Sequence, residues 1–273
     1  MSDSHEGLLL GKHTPVVEVY SPELLYPIPR SIARNTLGLQ ASVPFYGVDL
    51  WHAYEMSWLD ANGKPVVRVG RFTIPASSPN IVESKSFKLY LNSLNNTRFE
   101  NDGEARQCIE RDIGAAAGAG VFLKLFEIDD PILGGSPLTG INLDAHSISS
   151  KSSKPDINML KIQAGFIVEE QVYSHLLRSL CPVTGQPDWA TLWIHYRGDA
   201  LDHQSLLAYI VSYREHQEYH EQCVERMFLD ICKCCSAQFL HIQAFYTRRG
   251  GLDINPFRSS SGETKALPRL NRQ

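Results

Sequence analysis

The stretch "VFLKLFEI" (residues 121–128) reads as a strand, with alternating aromatic and branched apolar side chains, and "LHIQAFYT" (residues 240–247) reads the same way 119 residues later. That offset is not confined to the strand. It also lays Tyr54 on Tyr173, Ser86 on Ser205, Tyr90 on Tyr209, Ser93 on Ser212 and Phe126 on Phe245, without a gap. Moving outward, "VDLWHAYEMSWLD" and "KPVVRVGRFTI" read as two strands joined at Ala61-Asn62-Gly63, a hairpin signal. "EARQCIERDIG" (104–114) suits a helix. The second half repeats this order, with strands in "FIVEEQVYSHLLRSL" and "ATLWIHYRG", then a helix in "EQCVERMFLDICKCC". The pattern predicts an α+β fold made of two copies of one module. Each copy carries a mostly antiparallel sheet, because its strands are joined by short turns, with helices on one face. The predicted boundaries are an extended arm over residues 1–47, a first module over 48–145, a linker over 146–160 containing "HSISSKSSKPD", a second module over 161–257 and a tail over 258–273.

Composition narrows the function classes. The 273 residues carry a formal net charge of −4, with 43% hydrophobic and 21% charged residues. Such a balance offers no basic footprint for direct nucleic-acid binding. No apolar run approaches membrane-span length. The start, "MSDSHEGLLLGKH", has an acidic opening and only three consecutive leucines, so no secretory signal is expected. A chain this long can bury a core without disulfide staples, so its six cysteines read as thiols of a reducing cytoplasm.

The copies are most informative where they differ. Where the first has Asn62 the second has Cys181; where the second has Gln204 and Leu207 the first has Lys85 and Lys88; where the first has Asp129 and Asp130 the second has Arg248 and Arg249. The second copy thus holds a thiol within "LCPVTGQPDW" (180–189). A residue before proline is pushed into extended geometry, so Cys181 should end a strand. A turn at Pro182 to Gly185 would then bring Asp188 back towards it. Two readings stand at this point: a nucleophile with a nearby acid, or a buried structural cysteine. "ESKSFKLYLNS" (83–93), read as a helix, sets Lys85 and Lys88 on one face, which suits phosphate groups, although these residues alone favour a solvated lysine pair. "TRRGGLDINP" (247–256) adds two arginines before a Gly-Gly bend. "GAAAGAG" (114–120) precedes a strand instead of opening a helix, so it fails the context of a phosphate loop. His216, His220 and Cys223 would share a face of a helix spanning all three. Together with the C-x-x-C of "CKCC" (232–235), they are the only hint of a metal.

"LCPVTGQPDW", "ESKSFKLY", "YHEQC" (219–223) and "RRGG" together, in this order, resemble the NADPH-dependent 7-cyano-7-deazaguanine reductases, the QueF nitrile reductases of queuosine biosynthesis, in their longer two-module form. The resemblance runs from about Gly47 to Phe257. It implies tandem tunnelling-fold (T-fold) modules, a homodimer, NADPH as cofactor and a 7-deazapurine nitrile as substrate, with no metal. It further implies Cys181 as nucleophile, Asp188 as general acid, and His220 and Glu221 at the substrate. Val82, Glu83 and Ser84 would contact substrate from the first module. Ser84, Lys85, Arg249 and Gly250 would lie on NADPH, with Lys88 completing the cationic surface. Cys223 stands three residues after His220, and a reversible Cys181–Cys223 disulfide is a separate expectation under oxidation. Two alternatives belong to other classes: a zinc-dependent hydrolase resembling GTP cyclohydrolase, using Cys181, Cys223 and a histidine, and a non-catalytic purine- or pterin-binding module in which Cys181 only packs.

Overall fold

The hairpin expected at Ala61-Asn62-Gly63 joins β2 (Tyr46–Leu59) to β3 (Pro65–Pro75). It is closed by Asp60 N–H to Lys64 O (2.9 Å), and Gly63 takes the positive φ (86°) that a side chain disfavours. The structure, a computed structural model, describes residues 17, 19–40, 42–148 and 154–273. Parts of the expected arm (1–16, 18 and 41) and linker (149–153) lie outside the described residues. Two compact units emerge. The first holds the described residues of Met1–Gln40, Asp49–Leu133 and Arg248–Asp253; the second holds those of Ala41–Val48, Gly134–Thr247 and Ile254–Gln273.

The described part of the arm corrects the reading of an extended segment. It contains β1 (Pro27–Pro29) and a seven-residue helix, α1 (Arg30–Thr36). The helix lacks an apolar period because two buried arginines hold it. Arg30 reaches Asp49 at 2.5 Å, and Arg34 donates to the Ala76 carbonyl at 2.7 Å. Contacts over such sequence distances leave no local signal.

In the first unit, β1 pairs antiparallel with β4 (Asn80–Val82), and the main sheet runs β5–β3–β2, with β5 at Phe122–Phe126. α2 (Ser84–Ser93) and α3 (Asp102–Ala117) complete it. α3 ends at Gly118 in the left-handed region (φ 71°), so "GAAAGAG" is a helix end and tight turn as read. The core gathers on Phe87 of α2, which stacks on Trp51 (centroids 4.9 Å) and meets Phe72 edge-on (5.0 Å).

The second unit is a sheet in the order β10–β9–β8–β7–β6. Its members are β6 (Ile141–Asn142), β7 (Ile162–Leu180), β8 (Pro187–Leu201), β9 (Phe239–Tyr246) and β10 (Leu252–Ser259), the last contributing from Ile254 on. All pairs are antiparallel except the two-residue β6–β7 bridge. α4 (His203–Ser212) contacts β7, and α5 (His220–Cys234) contacts β9. Alternation along β8 puts Leu192, Ile194 and Tyr196 on one face and Thr191 and Trp193 on the other. The second face is covered by the tail. Leu267 and Leu270 pack with Trp193, Phe245 and Phe257, and the Gln243 side chain bonds both the N–H (2.7 Å) and the carbonyl (3.1 Å) of Leu267. This double cover explains why the middle of β8, Ala190–Ile194, is buried on both faces.

The two units repeat details of local chemistry. Glu83 caps α2 through Lys85 N (2.8 Å) and Ser86 N (2.6 Å), and Asp202 caps α4 through Ser205 N (2.8 Å). Ser86 and Ser205 each donate back to their own cap residue's carbonyl. Tyr90 donates to Asp112 (2.7 Å) and Tyr209 to Asp230 (2.6 Å), while Ser93 and Ser212 each bond the tyrosine carbonyl three residues back. α5 is fixed to β10 by a fully buried pair, Arg258 with Glu225 (2.9 and 3.1 Å). Removing one partner of such a pair strands the other charge, so Glu225→Ala should cost about 3–5 kcal/mol in urea denaturation followed by circular dichroism. Asp202→Ala, the loss of one helix cap, should cost only about 1 kcal/mol in the same measurement.

Candidate active site

Cys181 follows the last residue of β7. Its N–H donates to the Gln186 carbonyl (2.9 Å), its carbonyl accepts from Gly185 N–H (2.9 Å), and Gly185 turns the chain at φ 67°. The sequence "LCPVTGQPDW" thus folds as a closed hairpin end, with Leu180 opposite Pro187 and Ser179 opposite Asp188. Alternate residues of a strand share a face, so Ser179 and Asp188 project to one side, and Cys181, two beyond Ser179, follows them. The thiol is only 4% exposed, and Asp188 is buried too.

The end of β7 is tied down a second time. Leu180 N–H donates to the His216 carbonyl at 2.8 Å, and Leu180 bridges to Gln217. The segment carrying those residues is anchored by Glu218, whose carboxylate takes a fork from Arg226, His216 Nε2 at 3.0 Å and Gln222 Nε2 at 3.1 Å. From there the chain enters α5 at His220. Its Nε2 lies 3.2 Å from Asp188 Oδ2, so an acid and an imidazole more than thirty positions apart in sequence meet beside the thiol's hairpin. Glu221 follows in the buried first turn of α5, where the helix end favours a carboxylate.

Two features of this corner carried no local signal. The ring of Tyr246, the last residue of β9, stacks on His220 with centroids 3.7 Å apart and planes within 12°. His220 Nδ1 is buried without a hydrogen-bond partner. Cys223 is fully buried; burial first, and then the Glu218 carboxylate, push its thiol well above the ordinary range. It therefore remains a protonated thiol, unsuited to attack. All six cysteines, each among the described residues, are free thiols. The reading of His216, His220 and Cys223 on one helix face is corrected, because α5 begins only at His220 and His216 turns to Glu218 instead. Among the described residues no three His, Cys, Asp or Glu side chains gather as a metal-ligand set.

The remaining candidates lie in the first unit. Val82 ends β4 and is buried. Glu83, at the α2 N-cap, is buried with both carboxylate oxygens engaged; burial raises its pKa while the Lys85 and Ser86 N–H groups oppose the rise. Ser84 opens α2, and Lys85 and Lys88 lie one turn apart on it, both half-buried. Lys88 Nζ pairs with Glu55 at 3.1 Å and lies against Gly250, where an added Cβ would sit 3.5 Å from Lys88 Cδ. Arg249 and Leu252 close a turn (Arg249 N–H to Leu252 O, 2.9 Å) around Gly250 and Gly251, both at positive φ (63° and 80°). The φ of 80° at Gly251 is a backbone conformation that a side chain rarely adopts, so this bend favours glycine. Exposed Arg248 lays its guanidinium over the Tyr54 ring at 3.6 Å, a second cation that the motif alone did not place.

Comparison with known proteins points in one direction. Residues 16–125 match a family model described as nitrile reductase, 7-cyano-7-deazaguanine-reductase N-term, and residues 187–265 match one described as QueF-like protein. A protein of Dechloromonas aromatica (strain RCB) is 51% identical over 262 residues, covering 95% of this chain and 93% of its own length. Proteins of Bordetella parapertussis and Bordetella pertussis are each 52% identical over 252 residues, with 92% of both chains covered. All three are named NADPH-dependent 7-cyano-7-deazaguanine reductase.

The anchor at Glu218 has a pH signature. Burial alone would raise its pKa, but His216 and Arg226 outweigh burial and hold it below the ordinary 4.5. A depressed carboxyl contributes stability that is fully present above 4.5 and is lost as pH falls through the lower folded value. Urea titrations between neutral and acid pH should show that loss in the wild type. In Glu218→Gln the acid-side slope should be shallower.

Proposed function

The chain belongs to the 7-cyano-7-deazaguanine reductase family of nitrile reductases, and from that premise we propose that it reduces the nitrile of 7-cyano-7-deazaguanine to the 7-aminomethyl product with NADPH, in queuosine biosynthesis. The observation that carries this reading is the buried Asp188–His220 pair beside the hairpin of Cys181. A proton donor next to a thiol is what a nitrile requires, since its carbon is electrophilic while its nitrogen gathers charge when a nucleophile adds.

Cys181 gives its thiol proton to the Asp188–His220 pair, and Sγ forms a bond to the nitrile carbon as one C–N π pair moves to nitrogen. Asp188 supplies the proton that nitrogen takes, leaving a covalent thioimide on Cys181. Bound NADPH supplies the hydride for the carbon, one molecule for each of the two reductions. After the first, Cys181 Sγ departs with the C–S electron pair and leaves an imine, the acceptor for the second. His220 holds Asp188 and faces the substrate; Glu221 accepts from the N–H donors of the guanine-like edge, an acceptor that a wrong base would leave unpaired. Val82, Glu83 and Ser84 supply further substrate contacts. For the cofactor, the donor set fits a phosphate-rich dinucleotide: Ser84, Lys85, Lys88, Arg249 and the exposed backbone at Gly250 combine cations with an open glycine turn.

We read the two halves as diverged copies of one T-fold module, the protein as a cytoplasmic homodimer, and the tRNA pathway as served through the small molecule, without direct nucleic-acid contact. No helix among the described residues is long and apolar enough to cross a membrane.

Wild-type protein should oxidise NADPH, followed by absorbance, only when the nitrile is present; NADPH stable in its presence would reject the reading. With nitrile and no NADPH, mass spectrometry should find the substrate's mass added at Cys181 and no addition in Cys181→Ala. Lys85→Ala removes one charge-assisted contact, so the apparent KM for NADPH should rise roughly tenfold and that for the nitrile far less.

A further inference from the structure

His220 lacks the usual means of fixing an imidazole. A working histidine is ordinarily oriented by a hydrogen bond at each ring nitrogen, one setting the direction of the other. Here Nε2 meets Asp188 at 3.2 Å, but Nδ1 is buried with no partner. One contact at one edge leaves the ring free to rotate about its Cβ–Cγ bond and carry Nε2 off line. The remaining restraint is a face, because the Tyr246 ring lies parallel at 3.7 Å, close enough that tilting the imidazole would drive it into the phenol.

Tyr246 is itself held firmly. Opposite it in the β8–β9 ladder stands Ala190, the next residue donates its N–H to the Trp189 carbonyl (2.8 Å), and the Tyr246 carbonyl accepts from Gln273 Nε2 at 3.1 Å. The ring projects to the same side of the sheet as Ala190, and hence as Asp188. Its hydroxyl is buried beside the Ser179 hydroxyl and the Cys223 thiol, on the side of the residue that does not carry the stack. Burial holds the Tyr246 hydroxyl in its neutral form, well above its ordinary titration range, so it has no charge to offer His220. What Tyr246 offers is its face.

We propose that Tyr246 is a positioning residue: its ring, and not its hydroxyl, sets the plane of His220, and through Nε2 the aim of the Asp188 carboxyl at the substrate nitrogen. This rests on the nitrile-reductase reading above. It separates two properties of one side chain, which two substitutions can test apart. Tyr246→Phe keeps the stack and deletes the hydroxyl; Tyr246→Leu deletes the stack.

The Phe variant should keep kcat within about threefold, whereas the Leu variant should lose about 10–100-fold in kcat, the cost of a misaimed acid, with the KM for NADPH within about twofold of wild type. A folded Leu variant with wild-type kcat, or a Phe variant as slow as the Leu variant, overturns the proposal. Should the Leu variant fail to fold, histidine-selective NMR decides. The His220 ring protons, identified by their loss in His220→Asn, should lie upfield of free imidazole in both wild type and Tyr246→Phe, and an unshifted resonance overturns the proposal. The NMR result does not depend on turnover. Absence of nitrile-dependent NADPH oxidation in wild type would therefore remove the reductase reading without being mistaken for failure of the stack.

Discussion

One backbone hydrogen bond, from Cys181 N–H to the Gln186 carbonyl, closes the β7–β8 hairpin, and the site depends on the register it maintains. Side chains alternate across a strand, so a slip of one residue would send Asp188 to the face now held by Trp189 and expose the apolar row behind it. Burial of that row, Leu192, Ile194 and Tyr196 among it, makes the slip costly. Trp189 reinforces the register from the other side, where its ring lies within 5.5 Å of the Arg178 guanidinium and 5.3 Å of that of Arg214. The core thus enforces the placement of Asp188 near the surface end of a strand.

Around that register, the chemistry is divided by burial and partner. Cys181 and Cys223 are both buried thiols, yet they sit in different company. Cys223 faces a protein interior and an anion, which keep it protonated. Cys181 sits at the turn of the hairpin whose returning strand carries Asp188, the partner of His220. Glu218 and Glu83 show the same principle among acids. Glu218 is drawn down by an imidazole and a guanidinium, whereas at Glu83 burial outweighs the helix N–H groups, the Ser86 side chain and the Lys85 charge that oppose it. A carboxylate's role in this fold is set by which cation or N–H reaches it.

Much of the scaffold was legible because it rests on local rules. A period of two marked the strands, Asn-Gly marked the first hairpin, and the offset of 119 aligned Ser86 with Ser205 and Tyr90 with Tyr209, residues that make matching bonds in the two units. The motifs around Cys181, Lys85, His220 and Arg249 were likewise visible as strings. Reading failed where long-range polar contacts replaced apolar periodicity, as in α1, which two buried arginines hold in place. It failed again at His216, where spacing alone extended α5 by a turn that the Glu218 anchor does not allow.

By itself, then, the amino-acid order determined the residue types, the element order, the α+β class and the candidate thiol, because propensity, alternation and turn chemistry act over a few neighbours. Only the tertiary structure decided which of those residues meet. It brought Asp188 to His220, laid Tyr246 on the imidazole, turned His216 away to Glu218 and left Cys223 in the dark of the core. These are juxtapositions of separate strands and a helix, produced by sheet register and the packing of α5 on β9. A distance of 3.2 Å between residues 188 and 220 has no counterpart in the spacing of either along the chain.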